Sequence, residues 1–327
     1  MSVSHTNHAL QFKLLTFTGL KPGLRLIILG AVHGNETCGT QAIEKIMQEF
    51  ECKQRTIVAG SVTFVPITNP LAYAKNQRMG DRNLNRNLNP SSDPKDFEDH
   101  VANWLCPLLA QHDVLLDLHS FHTPGQPFAL LGPLDNTGEL EPFAYADEEE
   151  SLALRLGVNL FVDGWLDTYS RGVAHRMTNK AAYRSDGNLQ NLDVKYGVGT
   201  TEYMRAKGGW GITLECGQHE DVNAAKVAYQ AISNTLAHLG LIDCPAPTSV
   251  SEYKNLRIVE VIDRIDAEDQ FNQDWKSFDT LKAGDLIGTR KNGMPIVAEQ
   301  DAVILFPNPK ADAGNEWFYL AKMVTRF

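Results

Sequence analysis

The sequence is poor in the features that mark whole classes of protein. It has five cysteines, Cys38, Cys52, Cys106, Cys216 and Cys244, an odd number with no C-x-x-C pair. They read as free thiols in a reducing compartment. Cys38 and Cys216 sit beside candidate site residues, where a small buried hydrophobe describes them better than a reactive or ligating thiol. Long basic runs are missing too, and 40 acidic against 30 basic residues give a formal net charge of −10. That argues against nucleic acid or an anionic membrane as the main partner, although a few local arginines still suffice for a small anion. No apolar run approaches membrane-spanning length. The first residues, MSVSHTNHALQFK, show no charged leader followed by an apolar core, so a cytoplasmic protein is expected. There is no tandem repeat and no low-complexity tract. The 327 residues suffice for one large core, or for a main domain with a small companion.

What is present is organised around Leu24–Glu36, LRLIILGAVHGNE. The apolar run Leu24–Leu29 suits a strand buried on both faces. Gly30 ends it, His33 and Glu36 follow, and a helical pattern begins soon after with Ile43 and Ile46. His33 and Glu36 therefore fall in a strand-to-helix loop, beyond the carboxyl end of a strand, where open α/β sheets build their sites. A histidine and a carboxylate three residues apart can reach one metal, with Gly34 allowing a tight backbone turn. On this pair alone, a polar loop without metal is an equal reading.

The rest of the chain gives a first strand within residues 9–18, a turn at Lys21–Gly23, a helix over Thr40–Glu51 and a strand at Gly60–Pro66. Ile67–Pro70 reads as loop. Asn76–Pro90, NQRMGDRNLNRNLNP, lacks apolar periodicity and is too long for a simple connection. Asp96–Ala110 is helical, and Asp113–Leu118 is a second buried strand ending in His119-Ser120. A helix with an acidic first turn, Asp147–Glu150, lies within Glu139–Leu160. Asp186–Gly199 is polar and reads as loop. Gly211–Leu214 is a short strand ending in Glu215. Asp221–Leu239 is amphipathic, with Asp221 as its N-cap and Gly240 past its end. Asp243–Ser251 reads as a linker. Beyond it, short β runs at Arg257–Ile262, Asp285–Thr289 and Ala302–Phe306 suggest a small all-β unit. The expected fold class is α/β: a mixed, mostly parallel sheet flanked by helices, over residues 1–245, with a C-terminal β domain over 252–327.

Three strands thus end in candidate groups: His33 with Glu36, then His119, then Glu215. Two imidazoles and one carboxylate make a catalytic zinc set that keeps a position open for water, whose pKa falls to about 7 on such a metal. Each histidine alone would be an ordinary loop residue, but the convergence of all three with a further carboxylate favours a metal. Glu215 then serves as general base, against its alternative as a salt-bridged strand-end residue. His122 and His219 are ligands, proton shuttles or structural, the last two roles outside the metal's own shell being preferred. Arg78, Arg82, Asn85 and Arg86 crowd the irregular segment and suit a carboxylate clamp with a donor for a developing oxyanion, against a merely solvated basic loop.

At these residues the chain resembles the succinylglutamate desuccinylase/aspartoacylase family, a relative of the zinc carboxypeptidases. The likeness rests on HGNE at His33–Glu36, NQRMGDRNLNR at Asn76–Arg86, LLDLHS at Leu115–Ser120 and GITLECG at Gly211–Gly217, in consistent order across about residues 24–240. It implies one zinc per chain on His33, Glu36 and His119, with Glu215 as base and Arg78 polarising the oxyanion. Asn85 and Arg86 would hold a substrate carboxylate. Arg205 falls where aspartoacylases contact a carboxylate, but Thr201 stands where they carry a tyrosine, and Tyr203 is out of register. The implied activity is an amidohydrolase that removes an acyl group, succinyl, acetyl or similar, from an N-acyl amino acid. A zinc carboxypeptidase acting on peptides or cell-wall fragments is the alternative with the same site chemistry, and a non-catalytic zinc-binding ligand sensor is the alternative from another class. Manganese, cobalt or nickel also suit such ligands. The C-terminal β unit, with KAGDLIG at Lys282–Gly288 and PIVAEQDAVI at Pro295–Ile304, resembles a barrel-sandwich half without the lysine of a lipoyl or biotinyl carrier. It is expected to narrow access to the cleft. The oligomeric state is left open, a homo-oligomer included.

Overall fold

The computed structural model describes residues 10–178 and 193–327. The N-terminal half is laid out as β1 (Leu15–Thr18), β2 (Lys21–Leu29), α1 (Cys38–Glu51), β3 (Ala59–Val65), α2 (Pro70–Lys75), α3 (Phe97–Leu109), β4 (Val114–Phe121) and β5 (Phe128–Leu130). Then come α4 (Ala146–Ala153), β6 (Leu160–Asp163), α5 (Trp165–Thr178), α6 (Thr200–Ala206), β7 (Trp210–Gln218) and α7 (Ala224–His238). The rest is β8 (Lys254–Asp263), β9 (Gln270–Phe271), β10 (Thr280–Leu281), β11 (Leu286–Thr289), β12 (Pro295–Val297), β13 (Ala302–Leu305) and β14 (Glu316–Val324).

An 11-stranded sheet runs β1-β3-β2-β4-β7-β5-β6-β8-β14-β13-β10, and a second sheet of three runs β12-β11-β9. The strands β3, β2, β4 and β7 are mutually parallel, and β5 runs antiparallel to β7. This is the expected mixed, mostly parallel sheet. The central strands are buried on both faces, which is why their sequences are continuous apolar runs. On one face Leu26, Ile28, Leu116 and Ile212 pack with α1, α4 and α7. On the other Ile27, Leu29 and Leu115 pack with Val101 and Leu105 of α3 and with Tyr203 and Met204 of α6. Strands from the C-terminal residues complete the large sheet, β8 pairing with β6 in parallel and β14 with β8 antiparallel. A further apolar cluster forms there around Trp317 and Phe318, with Phe271 stacked on Trp317 at 4.4 Å.

Several local expectations are corrected. Lys21–Gly23 is the start of β2 and not a turn, because the Pro-Gly pair forms a bulge between Lys21 and Arg25, where Gly23 lies against the Gly60 backbone. Pro70 opens α2, its missing N–H costing nothing at a first helical position, with Asn69 accepting from the Ala72 N–H. Strand β4 continues through His119 to Phe121 and β7 through Glu215 to Gln218, so these groups sit within strands and not beyond them. Asp221 accepts from the Asn223 N–H in a turn that precedes α7, and Asn223 is the N-cap. Gly240 does sit past the helix end, at φ +66°. Helices α5 and α6 and strands β5, β6 and β14 were not anticipated. The expected loop at Asp186–Gly199 lies, up to residue 192, outside the described residues.

The segment Asn76–Pro90 is irregular as expected, but it is not slack. Glu98, fully buried at the start of α3, accepts from the N–H groups of Gly80 at 2.8 Å, Asp81 at 3.1 Å and Arg82 at 3.2 Å, and from Asn69 Nδ2 at 2.8 Å. Arg82 closes the same knot through Asp96 and Asp99. We expect Glu98→Ala to destabilise the protein by about 3 kcal/mol or more, since several buried donors lose their acceptor at once. Chemical denaturation measures this, and a loss below about 1 kcal/mol would show that the loop is not held through Glu98.

Candidate active site

Strand register brings the chemistry together. Leu29 of β2 lies beside Asp117 of β4, and His119 of β4 beside Glu215 of β7. With side chains alternating along each strand, Asp117 and His119 share a face. The loop after β2 delivers His33 and Glu36 to the same place. Gly34 in that loop has to be glycine, because a Cβ there would overlap the Ala72 backbone of α2.

His33, Glu36 and His119 are buried to within 2% of full exclusion, and their ligand atoms lie within 4.8 Å of one another. Glu36 is the hub. Its Oε1 is 2.9 Å from His33 Nδ1 and its Oε2 is 2.8 Å from His119 Nδ1. Oε2 also accepts the Ser120 N–H at 3.1 Å. The outer ring nitrogens are engaged elsewhere. Asn83 Oδ1 accepts the Asn85 N–H at 2.9 Å and lies 3.0 Å from His33 Nε2, so that Nε2 carries the proton and Nδ1 keeps its lone pair. Asp117 Oδ2 lies 2.9 Å from His119 Nε2 and takes its proton in the same way. Both Nδ1 atoms thus point at the Glu36 carboxylate, the arrangement a divalent cation requires of two imidazoles and one carboxylate. Arg78 Nη1, at 2.9 Å from Glu36 Oε1 and 3.1 Å from His33 Nδ1, already sets a positive charge against them.

Proton affinities follow from this packing. Burial, aided by the Arg78 charge, lowers His33 to about 4, so it is neutral at physiological pH. For Glu36 burial works upward, but His33 and His119 outweigh it and hold the carboxyl well below its ordinary range. For His119 burial works downward, but Asp117 and Glu36 outweigh it and raise the imidazole, whose extra proton a metal would replace. Glu215 behaves oppositely. Burial, then the charge of Glu36, pushes it up to about 8. Its Oε2 has no hydrogen-bond partner among the described residues.

Beside this cluster lies a cavity of about 370 Å³. Its lining includes His33, Arg78, Asn85, Arg86, His119, Arg205 and Glu215, so the expected site residues other than Glu36 share one cleft. Arg86 is buried against the rings of Trp165 and Tyr169, at 4.9 and 5.1 Å. It donates to Tyr169 Oη at 3.2 Å and to the Asn85 carbonyl at 2.8 Å. Asn85 Oδ1 accepts the Thr200 N–H at 2.9 Å, leaving its Nδ2 donors as the other end of the amide. Thr200 Oγ1 also donates to Asp117 at 2.5 Å, so the start of α6 ties the arginine loop to His119. Arg205 lines the wall, but its guanidinium is occupied by Glu149 and Glu141 and does not project as an open carboxylate receptor. His219 Nδ1 lies 2.8 Å from Ser120 Oγ, and His122 donates from Nε2 to the Pro307 carbonyl at 2.9 Å, so neither joins the three converging groups. Phe306, Asn308, Lys310, Glu316 and Tyr319, from the C-terminal strands and their loops, close the far side.

Sequence reasoning missed Asn83, Asp117, Thr200 and Glu316. Asp117, two before His119 and so on the same strand face, carried a usable signal. Glu316 carried none, since nothing local ties β14 to the cleft. Cys38 and Cys216 are buried, Cys38 donating to the His119 carbonyl at 3.4 Å, as packing behind the site requires.

Residues 22–125 match the model of the succinylglutamate desuccinylase/aspartoacylase catalytic domain. A probable aspartoacylase of Prochlorococcus marinus is 32% identical over 101 residues, which are 29% of this chain and 33% of that protein. The chain therefore aligns with about a third of that relative's length. Among solved structures, a succinylglutamate desuccinylase/aspartoacylase of Rhodobacter sphaeroides superposes with a TM-score of 0.69 at 15% identity, covering 95% of this chain and 89% of the other. A product-bound ectoine utilization protein EutE (DoeB) of Ruegeria pomeroyi gives 0.67 at 17% identity, covering 94% and 88%. Succinylglutamate desuccinylase of Vibrio parahaemolyticus gives 0.66 at 17% identity, covering 96% and 87%. At these identities the likeness shows a shared fold.

If Asp117 orients His119 toward a metal, Asp117→Ala should weaken zinc affinity about 10- to 100-fold in competition with a chromophoric chelator. An unchanged affinity would reduce Asp117 to a packing role.

Proposed function

We propose that this chain, whose residues 22–125 match the model of the succinylglutamate desuccinylase/aspartoacylase catalytic domain, is a cytoplasmic zinc hydrolase that cleaves the amide bond of a small N-acyl amino acid. The observation that carries the reading is the convergence of His33, Glu36 and His119, their ligand atoms within 4.8 Å of one another, beside a cleft that Glu215 lines. Glu36 is held ionised among two imidazoles, while Glu215, one strand away, is pushed up to about 8 and faces the cleft. Environments that separate two carboxylates in this way mark one as a charge-bearing group and the other as a proton carrier.

In this reading His33, Glu36 and His119 hold one zinc through Nδ1, Oε and Nδ1. When bound, the metal supplies Lewis acidity toward the amide carbonyl and acidifies water at the site. A cation held there would also lower Glu215 toward the ionised form that a base requires. Glu215 takes a proton from the attacking water and returns it to the nitrogen of the breaking amide, so that a neutral amine leaves. Arg78, half-exposed at the cleft, donates to the oxygen that becomes negative in the tetrahedral intermediate. Arg86 and the Nδ2 of Asn85 hold the carboxylate of the substrate, a fork and a neutral donor on a loop that Glu98 keeps rigid.

Residues 1–245 provide all of this machinery, and we assign to residues 252–327 the wall that limits the cleft to small molecules. That wall favours an N-acyl amino acid over a longer peptide. The five free cysteines fit a reducing compartment, and among the described residues no helix is long and apolar enough to cross a membrane.

The test is amine release from N-acetyl, N-succinyl and N-formyl amino acids. Chelator should abolish release and zinc should restore it. Glu215→Gln should retain its metal and lose about 100- to 10,000-fold in kcat. Near-normal turnover in that variant would falsify the role of Glu215.

A further inference from the structure

The wall of the cleft around Arg205 bears on which amino acid leaves, given the amide-hydrolase reading above. Arg205 Nε and Nη2 donate to Glu149 at 3.1–3.2 Å, Nη1 donates to Glu141 at 3.0 Å, and Nη2 also donates to the Gly211 carbonyl at 2.8 Å. A third carboxylate, Glu202, stands 3.6 Å from Nη1. The guanidinium cannot turn away from these partners. The Phe143 ring covers it at 5.4 Å, and on another side it lies so close to Gly132 that a Cβ there would overlap it. An arginine that recognises a second carboxylate on a substrate must offer free N–H groups. Here three carboxylates already surround one guanidinium, and all of its edges are taken.

The excess charge is therefore negative. Burial, together with the neighbouring Glu202 and Glu149, outweighs Arg205 and pushes Glu141 up to about 7, as crowded carboxylates require. Glu202 lines the same cleft as Arg205 and Thr201 and is nine-tenths buried. Glu316 lines it too, 3.7 Å from Arg86 Nε, a separation too long for a hydrogen bond. Arg86 is in an ion pair with that Glu316, while its hydrogen bonds go to neutral oxygens, the Tyr169 hydroxyl and the Asn85 carbonyl. Arg86 and Asn85 can thus take a carboxylate, beside a wall on which Glu141, Glu149 and Glu202 outnumber the one guanidinium of Arg205.

We propose that the leaving amino acid carries a positively charged side chain, of the ornithine or lysine type, with its α-carboxylate on Arg86 and Asn85 and its side-chain ammonium facing Glu202. Arg205 is a positioning residue in this arrangement: it keeps the carboxylates of Glu202, Glu141 and Glu149 gathered at the wall and does not itself bind substrate. An aspartate or glutamate leaving group would set a carboxylate against them.

Calorimetric titration of the full chain with L-ornithine, L-norvaline and L-aspartate tests this directly, because the three share their α-groups and differ in side-chain charge. Ornithine should bind about tenfold or more tightly than norvaline, as one partly buried charge pair would give, and aspartate more weakly than either. In Glu202→Gln, which keeps an oxygen for the Gly199 N–H, the ornithine-to-norvaline ratio should fall toward one. Aspartate binding as tightly as ornithine, no preference for ornithine in the unaltered protein, or an equal loss for both ligands in the variant would each overturn the proposal. Selective ornithine binding without hydrolysis of any N-acyl amino acid would instead remove the amide-hydrolase reading and leave the charge preference of the wall in place.

Discussion

A carboxylate buried without compensation is among the costliest groups a protein can contain. Glu36, 1% exposed, is such a group, and the architecture around it compensates its charge. One oxygen faces His33 and Arg78, and the other faces His119 and the Ser120 N–H. These partners come from three separate segments: the loop after β2, the arginine loop and the middle of β4. The adjacency of β2 and β4 is what lets them meet. The groups one step further out then become necessary as well. Asn83 and Asp117 each accept a hydrogen bond from a ring nitrogen, and Thr200 bridges Asp117 to Asn85. The result is a concentration of donor atoms whose electrostatics call for a cation.

The cleft beside this cluster is divided by charge. Near Glu36 the positive groups Arg78 and Arg86 lie on the irregular segment that Glu98 anchors by its backbone. Elsewhere on the wall Arg205 is enclosed by carboxylates, Glu202 lines the space, and Glu316 pairs with Arg86. Glu215 lines the same cleft from the strand next to His119. Strands β2, β4 and β7 position the clustered groups, and two less regular regions, the arginine loop and the C-terminal segments, line the cleft beside them. That separation of rigid strands from variable walls is how α/β folds accommodate different substrates.

Much of this was legible in the chain because its signals are local. The continuous apolar runs at Leu24–Leu29 and Val114–Leu118 predict buried parallel strands, and His33, Glu36, His119 and Glu215 stand at or near their carboxyl ends in sequence. The fold class follows from those runs and the helices between them. What could not be read depends on distant pairing. That β14 lies beside β8 and brings Glu316 and Tyr319 to the cleft is a tertiary fact with no periodic signature. The partners of Arg205 could not be read from its spacing before Glu215, because Glu141 and Glu149 lie more than fifty residues earlier in the chain. Lys21–Gly23 was misjudged for the opposite reason: Pro-Gly is a strong local turn signal, and pairing with β3 overrode it.

The central claim is that His33, Glu36 and His119 bind one divalent metal. Equilibrium dialysis of the chelator-treated protein against zinc tests it most directly, with His119→Ala in parallel and circular dichroism to confirm that both are folded. One tightly bound equivalent in the unaltered protein, lost in the variant, is the predicted result. No stoichiometric zinc, or an equivalent that survives in folded His119→Ala, would contradict the account.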